Sequence, residues 1–421
     1  MPKIQKLYAR EILDSRADPT LEVVSILDSG DYGIASVPSG TSTSSSEAFE
    51  LRDNDPRRYL GRGVLAAISR VNQEIASAVL DKPFTSILDL DKWLIDLDGT
   101  PEKKKLGANA ILGVSMATTK ALAASLRQPL YKYIADVIGN KEPLFIPSPV
   151  FNMINGGKHG AGNLDFQEFH IISSRLHPFA ESLETGVVIY QTIKRLLARR
   201  GAIHSVGYEG GFAPNLFTNL DALEILQEAI IETNHKPGID IELGLDIAAN
   251  SFFKDNRYII KDRSSPMEAN EFIDYLRDLN NQYHLRLLED AISEADWKSW
   301  INLTAELGNI TTIVGDDLLA TNSKLVKKAV ADKACNGILV KLNEVGTVSE
   351  TLEVIHQANA AGWKVVASHR SGETNDTFIA DFAVGIGADY AKFGAPARGE
   401  RVAKYNRLLA IETELTHPPV P

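Results

Sequence analysis

Acids, lysines and one basic-polar triplet follow apolar runs at nearly even spacing through the C-terminal half of the chain. Asp246 ends IELGLD, Glu289 ends LRLLE and Asp316 follows TTIVG. Lys341 follows NGILV, His369, Arg370 and Ser371 follow WKVVAS, and Lys392 closes GADYAK. The steps from Asp246 onward, counted to His369 and then Lys392, are 43, 27, 25, 28 and 23 residues. One strand-plus-helix unit of a (β/α)8 barrel takes roughly 30 residues, and such barrels gather their functional groups at the C-terminal ends of the strands. Three carboxylates, two lysines and an arginine converging there describe a metal site that holds an anionic substrate.

Three strand-end carboxylates, completed by water and substrate oxygens, suit Mg2+, a hard cation that takes octahedral oxygen ligands. One such acid alone reads equally well as a helix cap or loop charge; three at successive units argue for a metal. For Lys341 or Lys392 alone, a salt bridge at the core rim is the plain alternative. Together beside a metal, like charges disfavour each other's protonated form. That predicts one neutral lysine acting as general base and one cationic lysine holding a carboxylate. Arg370 offers a fork for phosphate, and Ser371 a hydroxyl or amide contact. Glu168 and Glu209 lie in glycine-flanked loops, where two carboxyls suit general acid work if one is kept protonated. His159, in GGKHGAGN, is placed to donate to phosphate or a leaving hydroxyl, unless it is an ordinary surface-loop histidine.

The elements that must hold these groups are legible in outline. Residues 1 to about 60 read as strands and turns, rich in β-branched residues between Gly, Pro and Asp. The segments 62–80 and 107–136 have helical periodicity, and the second is apolar on most faces, as a buried helix is. SGTSTSSSE (39–47) reads as a mobile loop. IPSPV (146–150) is a plausible junction, after which strands alternate with helices as in βα units of a parallel sheet. With 421 residues, 44% hydrophobic and 24% charged, the chain is sized for two or more globular domains. No apolar run reaches the ~20 residues of a membrane span. The N-terminus lacks a secretory pattern, and Cys335, the only cysteine, fits a reducing cytoplasm. A net charge of −11 argues against nucleic acid as the primary ligand.

The motifs also carry a resemblance. SGTSTSSSEAFELRD, GANAILGVSMATTKA, FNMINGGKHG with QEF, GYEGGFAPN, GLDIAA, LED with ADW, VGDDLLATN, ILVKLNEVGT, SHRSGET and AKFGAPARGERVAKYN are similar, in order, to the enolase family. The resemblance runs from about residue 3 to 413. It implies a smaller α+β domain (1–137) carrying the 39–47 lid, then a modified (β/α)8 TIM barrel (138–421). It implies reversible dehydration of 2-phospho-D-glycerate to phosphoenolpyruvate with two Mg2+ per site. Asp246, Glu289 and Asp316 would bind the first ion, and Ser42 would join the second as the lid closes. Lys341 would remove the C2 proton, Glu209 assisted by Glu168 would protonate the departing hydroxyl, and Lys392 would hold the substrate carboxylate. His159, His369, Arg370 and Ser371 would surround the phosphate and leaving-group side. A homodimer or octamer is the implied assembly.

Several positions depart from the family pattern. Ala17-Asp18 replaces Gly-Asn, Ser44 a lid glycine, Lys158 a neutral or acidic residue, Tyr208 an acid, Ala291 a proline and Phe393 a small polar residue. Tyr208 and Phe393 adjoin Glu209 and Lys392, so altered rate, pH profile or substrate preference is one expectation; packing away from the site is the other. The alternatives to a working enolase are a paralogue acting on a related phospho- or phosphono-carboxylate, and a non-catalytic binding protein on the same fold.

Overall fold

The first 36 residues make an antiparallel meander of β1 (Ile4–Leu13), β2 (Pro19–Leu27) and β3 (Tyr32–Ser36), in the order β1-β2-β3. The computed structural model describes residues 1–40, 46–160, 162–175 and 177–417. In the β1–β2 turn, Asp14 Oδ1 accepts the backbone N–H groups of Arg16 and Asp18 at 2.8 and 2.9 Å. Ala17 holds φ +62°, a left-handed conformation that costs an L-residue roughly 1–2 kcal/mol.

The helix Ala108–Ser125 lies against β2 and β3 and is buried along almost its whole length. Its small residues permit close approach: a Cβ on Gly33 would fall 2.1 Å from the Ala117 carbonyl oxygen. The helix expected over 107–136 is two, Ala108–Ser125 and Leu130–Ile138, because Pro129 keeps the preceding residue out of helical backbone. The 62–80 segment is helical from Leu65 to Val79, with a π-helical stretch at Arg70–Ile75. The further helix Ile87–Asp98 was not anticipated.

Eight strands then close a barrel in the order β10-β11-β12-β13-β4-β5-β6-β9. They are β4 (Ser148–Asn155), β5 (Glu168–Ser173), β6 (Ile241–Asp246), β9 (Leu285–Glu289), β10 (Thr312–Gly315), β11 (Gly337–Val340), β12 (Lys364–Ser368) and β13 (Tyr390–Gly394). A small hairpin, β7 (Phe253–Lys254) and β8 (Arg257–Tyr258), helps fill the long step between β6 and β9. Val150, Ile172, Leu287, Val314, Leu339, Val366 and Tyr390, one from each of seven strands, form a buried cluster of their own.

The expected all-parallel alternation fails at one strand. β5 runs antiparallel to both β4 and β6, while every other neighbouring pair is parallel. Among the described residues of the β4–β5 link (156–167), the 3-10 turn Gly157–His159 is the one helical element. A parallel return is usually made through a crossover helix; here the chain doubles back instead.

The N-terminal sheet is tied to the barrel near its functional end. Ser39 and Gly372 exchange backbone hydrogen bonds of 2.8 and 2.9 Å, and Lys120 pairs with Asp376 at 2.7 Å. Among the described residues, no helix is long and apolar enough to cross a membrane.

Candidate active site

The parallel strands deliver their terminal residues to one end of the barrel. Asp246 and Glu289 are the last residues of β6 and β9, Asp316 and Lys341 directly follow β10 and β11, and His369–Ser371 directly follow β12. Lys392 lies inside β13, which continues to Gly394. Glu168 is the first residue of the inverted β5, His159 lies in the β4–β5 link, and Glu209 in the loop before the helix Asn219–Glu232. One cavity is lined by Lys341, Glu209, Glu168, His159, His369, Arg370, Ser371, Lys392, Asp246, Glu289 and Asp316, all of the candidates within the described residues. Ser42, and Ser44 beside it, lie outside the described residues.

Both lysines are engaged by acids. Lys392 Nζ is 2.7 and 2.9 Å from the Glu289 carboxylate oxygens, 3.0 Å from Glu168 and 3.2 Å from Asp246. Lys341 Nζ is 2.6 Å from each Asp316 oxygen and 3.4 Å from Glu344. Burial opposes the charge on each, but the carboxylates outweigh it and push both lysines above the ordinary lysine range. The expected mutual lowering is therefore corrected: the carboxylates against each lysine raise its proton affinity, because they lie nearer than the other lysine.

The acids carry the complementary burden. Burial first, and then neighbouring carboxylates, raise Asp246 and push Glu289 well above the usual carboxylate range. This is an excess of negative potential that a divalent cation would relieve. The closest groupings of possible ligand atoms among the described residues are Asp290–Asp316–Asp317 and His159–Glu168–Glu209, each within 4.8 Å. Neither is the anticipated Asp246–Glu289–Asp316 set, which here surrounds the lysine ammoniums. Asp290 accepts the backbone N–H groups of Asp316 and Asp317, both at 2.9 Å. Its oxygens are committed to shaping that turn, so it orients Asp316. The all-oxygen set Asp246, Glu289 and Asp316 fits a hard dication. Asp290 was missed by sequence reasoning, although it directly follows Glu289 in LLED.

A second chain of contacts runs along the other acids. His159 Nδ1 is 3.0 Å from Glu168 Oε1 and 3.5 Å from Glu209 Oε1. Glu168 Oε2 meets His170 Nε2 at 2.8 Å, a partner also missed from sequence. Asn152 Nδ2 donates to Glu209 Oε2 at 3.2 Å, and His369 Nε2 lies 3.3 Å from the same oxygen. Burial raises the proton affinity of Glu168, but Lys392 and then the two histidines hold it well below the ordinary range. For Glu209, burial and the Glu168 charge raise the affinity, while His369 and His159 bring it below the ordinary value. These neighbours act against the expectation that one of the pair is held protonated.

Arg370 Nη1 approaches Glu47 at 3.3 Å, Asn343 at 3.2 Å and Glu344 at 3.3 Å. Glu47 is the last residue of the 39–47 segment, and it meets Arg370. Of the departures, Phe393 is 0% exposed and packs against Tyr405 with ring centroids 6.0 Å apart. It does not line the cavity. Tyr208 is 46% exposed and does not line the cavity. Lys158 does line it.

Two family models together span nearly the whole chain. Residues 4–134 match the one described as enolase, N-terminal domain, and residues 143–419 the one described as enolase, C-terminal TIM barrel domain.

Proposed function

The chain belongs to the enolase family, and on that premise we propose that it reversibly dehydrates 2-phospho-D-glycerate to phosphoenolpyruvate, a cytoplasmic step of glycolysis and gluconeogenesis. The observation that carries this reading is the sharing of one cavity by two lysines, three strand-end acids and the Glu168–Glu209 pair. That set has a base, an acid and charge for a doubly anionic intermediate.

Asp246, Glu289 and Asp316 would hold one Mg2+, and Ser42 would contribute to a second; bound, the ions would supply positive charge that offsets these acids and the negative charge developing on proton loss. Lys341, once its own proton has passed to solvent, is the neutral amine that accepts the proton on C2. Lys392 remains cationic beside Glu168 and pairs with the substrate carboxylate. Arg370, Ser371, His159 and His369 orient the phosphate and the C3 hydroxyl. An anionic substrate raises the proton affinity of nearby carboxyls, which brings Glu209 its proton. As the C2 electron pair forms the double bond, the C3–O bond breaks, and Glu209, assisted by Glu168, gives its proton to the departing hydroxide, which leaves as water. We expect a homodimer, which sedimentation of the purified protein tests.

Lys158 favours one second reading, a paralogue whose phospho- or phosphono-carboxylate substrate carries more negative charge. It adds a cation at the cavity, where the family pattern has a neutral or acidic residue. The deciding experiment is turnover of 2-phosphoglycerate by purified protein with and without Mg2+, beside Lys341→Ala. Mg2+-dependent turnover at roughly 1–10³ per second, lost in the variant, supports the main reading. Folded, Mg2+-binding protein without turnover sinks it and leaves the paralogue.

A further inference from the structure

Arg401 belongs to the C-terminal helix Gly399–Thr416, is fully buried, and does not line the cavity. Its Nη1 is 2.6 Å from His369 Nδ1 and 2.6 Å from the Arg370 carbonyl oxygen. Its Nη2 donates to the Ser371 carbonyl at 2.7 Å and the Tyr208 carbonyl at 3.1 Å. One guanidinium thus fastens the loop that carries His369–Ser371 to the loop that carries Glu209.

A guanidinium only donates hydrogen bonds. A ring nitrogen 2.6 Å from it must therefore be the unprotonated one, and the single hydrogen of a neutral imidazole then sits on the other nitrogen. We propose that Arg401 is a positioning residue that fixes His369 as the Nε2–H tautomer, so that this N–H serves as a donor at the Glu209 end of the cavity. Nε2 is buried, lies 3.3 Å from Glu209 Oε2 and makes no complete hydrogen bond. It is a donor held in reserve, of the kind that tightens when substrate arrives. The charged groups acting on the ring are Glu209, Glu168 and Arg401. Burial and the Arg401 charge disfavour the imidazolium more than the two glutamates favour it, which keeps His369 below the ordinary histidine range. A catalytic part for the donor rests on the proposed dehydration; the tautomer itself does not.

Long-range 1H–15N correlation spectra of the full chain with labelled histidine test this without substrate. His369 is assigned by the signal lost in His369→Gln. The expected result is a protonated Nε2 and a bare Nδ1 at about pH 7 to 8, where the ring is neutral. A protonated Nδ1 on the neutral ring overturns the proposal. In Arg401→Met the tautomers should mix; a folded variant that keeps pure Nε2–H also overturns it, and if the variant does not fold the wild-type spectrum decides. With 2-phosphoglycerate, His369→Gln, whose amide reaches the ε position, should retain roughly tenfold more kcat than His369→Asn; equal losses remove the donor's part in catalysis. Absence of turnover in the wild type sinks the proposed function and leaves the tautomer to the spectra.

Discussion

Glu168, the first residue of β5, lies in register with Asp246, the last residue of β6. Only an antiparallel strand can bring a beginning to meet an end in this way. Were β5 parallel to its neighbours, Glu168 would start at the opposite face of the barrel, about 17 Å away for a strand of this length. The inversion instead sets it 3.0 Å from Lys392 Nζ, and four strands thereby meet around one ammonium.

That ammonium should be a main support of the metal-free protein. Lys392→Met leaves Glu168, Glu289 and Asp246 buried with one cation fewer. Removing one partner of a buried ion pair costs about 3–5 kcal/mol, and urea unfolding in chelator at neutral pH should show a loss of that order. Because the folded state raises the lysine above its unfolded value, this stabilisation is fully present below the unfolded lysine pKa. It is lost only as pH rises through the still higher folded value, so the difference should not vary between acid and neutral pH on this account. A loss under about 1 kcal/mol would show that the acids simply take up protons instead.

Mg2+ should compensate for the same charge excess. A ligand that binds only the native state stabilises it by about 2.7 kcal/mol at a hundred times its Kd, so Tm should climb with Mg2+ concentration. Glu289→Gln removes a charged ligand while keeping shape, and its Tm should respond at least tenfold less sensitively to the ion. An identical Mg2+ response in the variant would place the ion elsewhere, with the Asp290–Asp316–Asp317 grouping next to test.

The positions of these groups were legible because an apolar run that ends in a charged residue, repeated at barrel spacing, is what successive βα units with a shared site produce and little else does. The inversion of β5 was not, since EFHIIS reads alike in either direction and a link of twelve residues, 156–167, is long enough for a parallel return. The protonation of the lysines was not legible either. It depends on whether an acid or the other lysine lies nearer, and sequence spacing does not carry that distance. Phe393 was readable in principle: next to an inward-facing Lys392 on a strand, it must face outward. The Arg401–His369 contact joins a helix to the loop of the preceding barrel unit, and the quoted ARGERVAKYN motif gives no sign of its partner.

Gly40 tests the link between the 39–47 segment and Arg370. A Cβ there would fall 1.8 Å from Arg370 Nη2. The guanidinium cannot readily yield, being held by Glu47, Asn343 and Glu344. Gly40→Ala should therefore displace Arg370 and raise KM for a phosphorylated substrate by roughly tenfold, the worth of one charge-assisted hydrogen bond. The Mg2+-dependent Tm shift should be unchanged, because no carboxylate ligand moves. Unaltered KM would mean that Arg370 does not hold the phosphate.

Asp91 gives a pH dependence well separated from the cavity chemistry. It sits in the helix Ile87–Asp98, is 0% exposed, and accepts the Ser349 backbone N–H at 2.8 Å. Burial pushes it up to about 6, from 3.8. The folded state therefore holds this proton more tightly than the unfolded chain. Its contribution to stability is full below pH 3.8 and is lost as pH rises through about 6. At about 1.4 kcal/mol per pKa unit, the loss across that window is on the order of 3 kcal/mol. Asp91→Asn cannot ionise, so it should match the wild type near pH 4 and exceed it by about 1–3 kcal/mol at pH 8. The two proteins should be compared by urea unfolding at both pH values, because other buried acids titrate in each and cancel in the difference. A difference that does not change between the two pH values would mean that Asp91 is ionised in the folded state throughout.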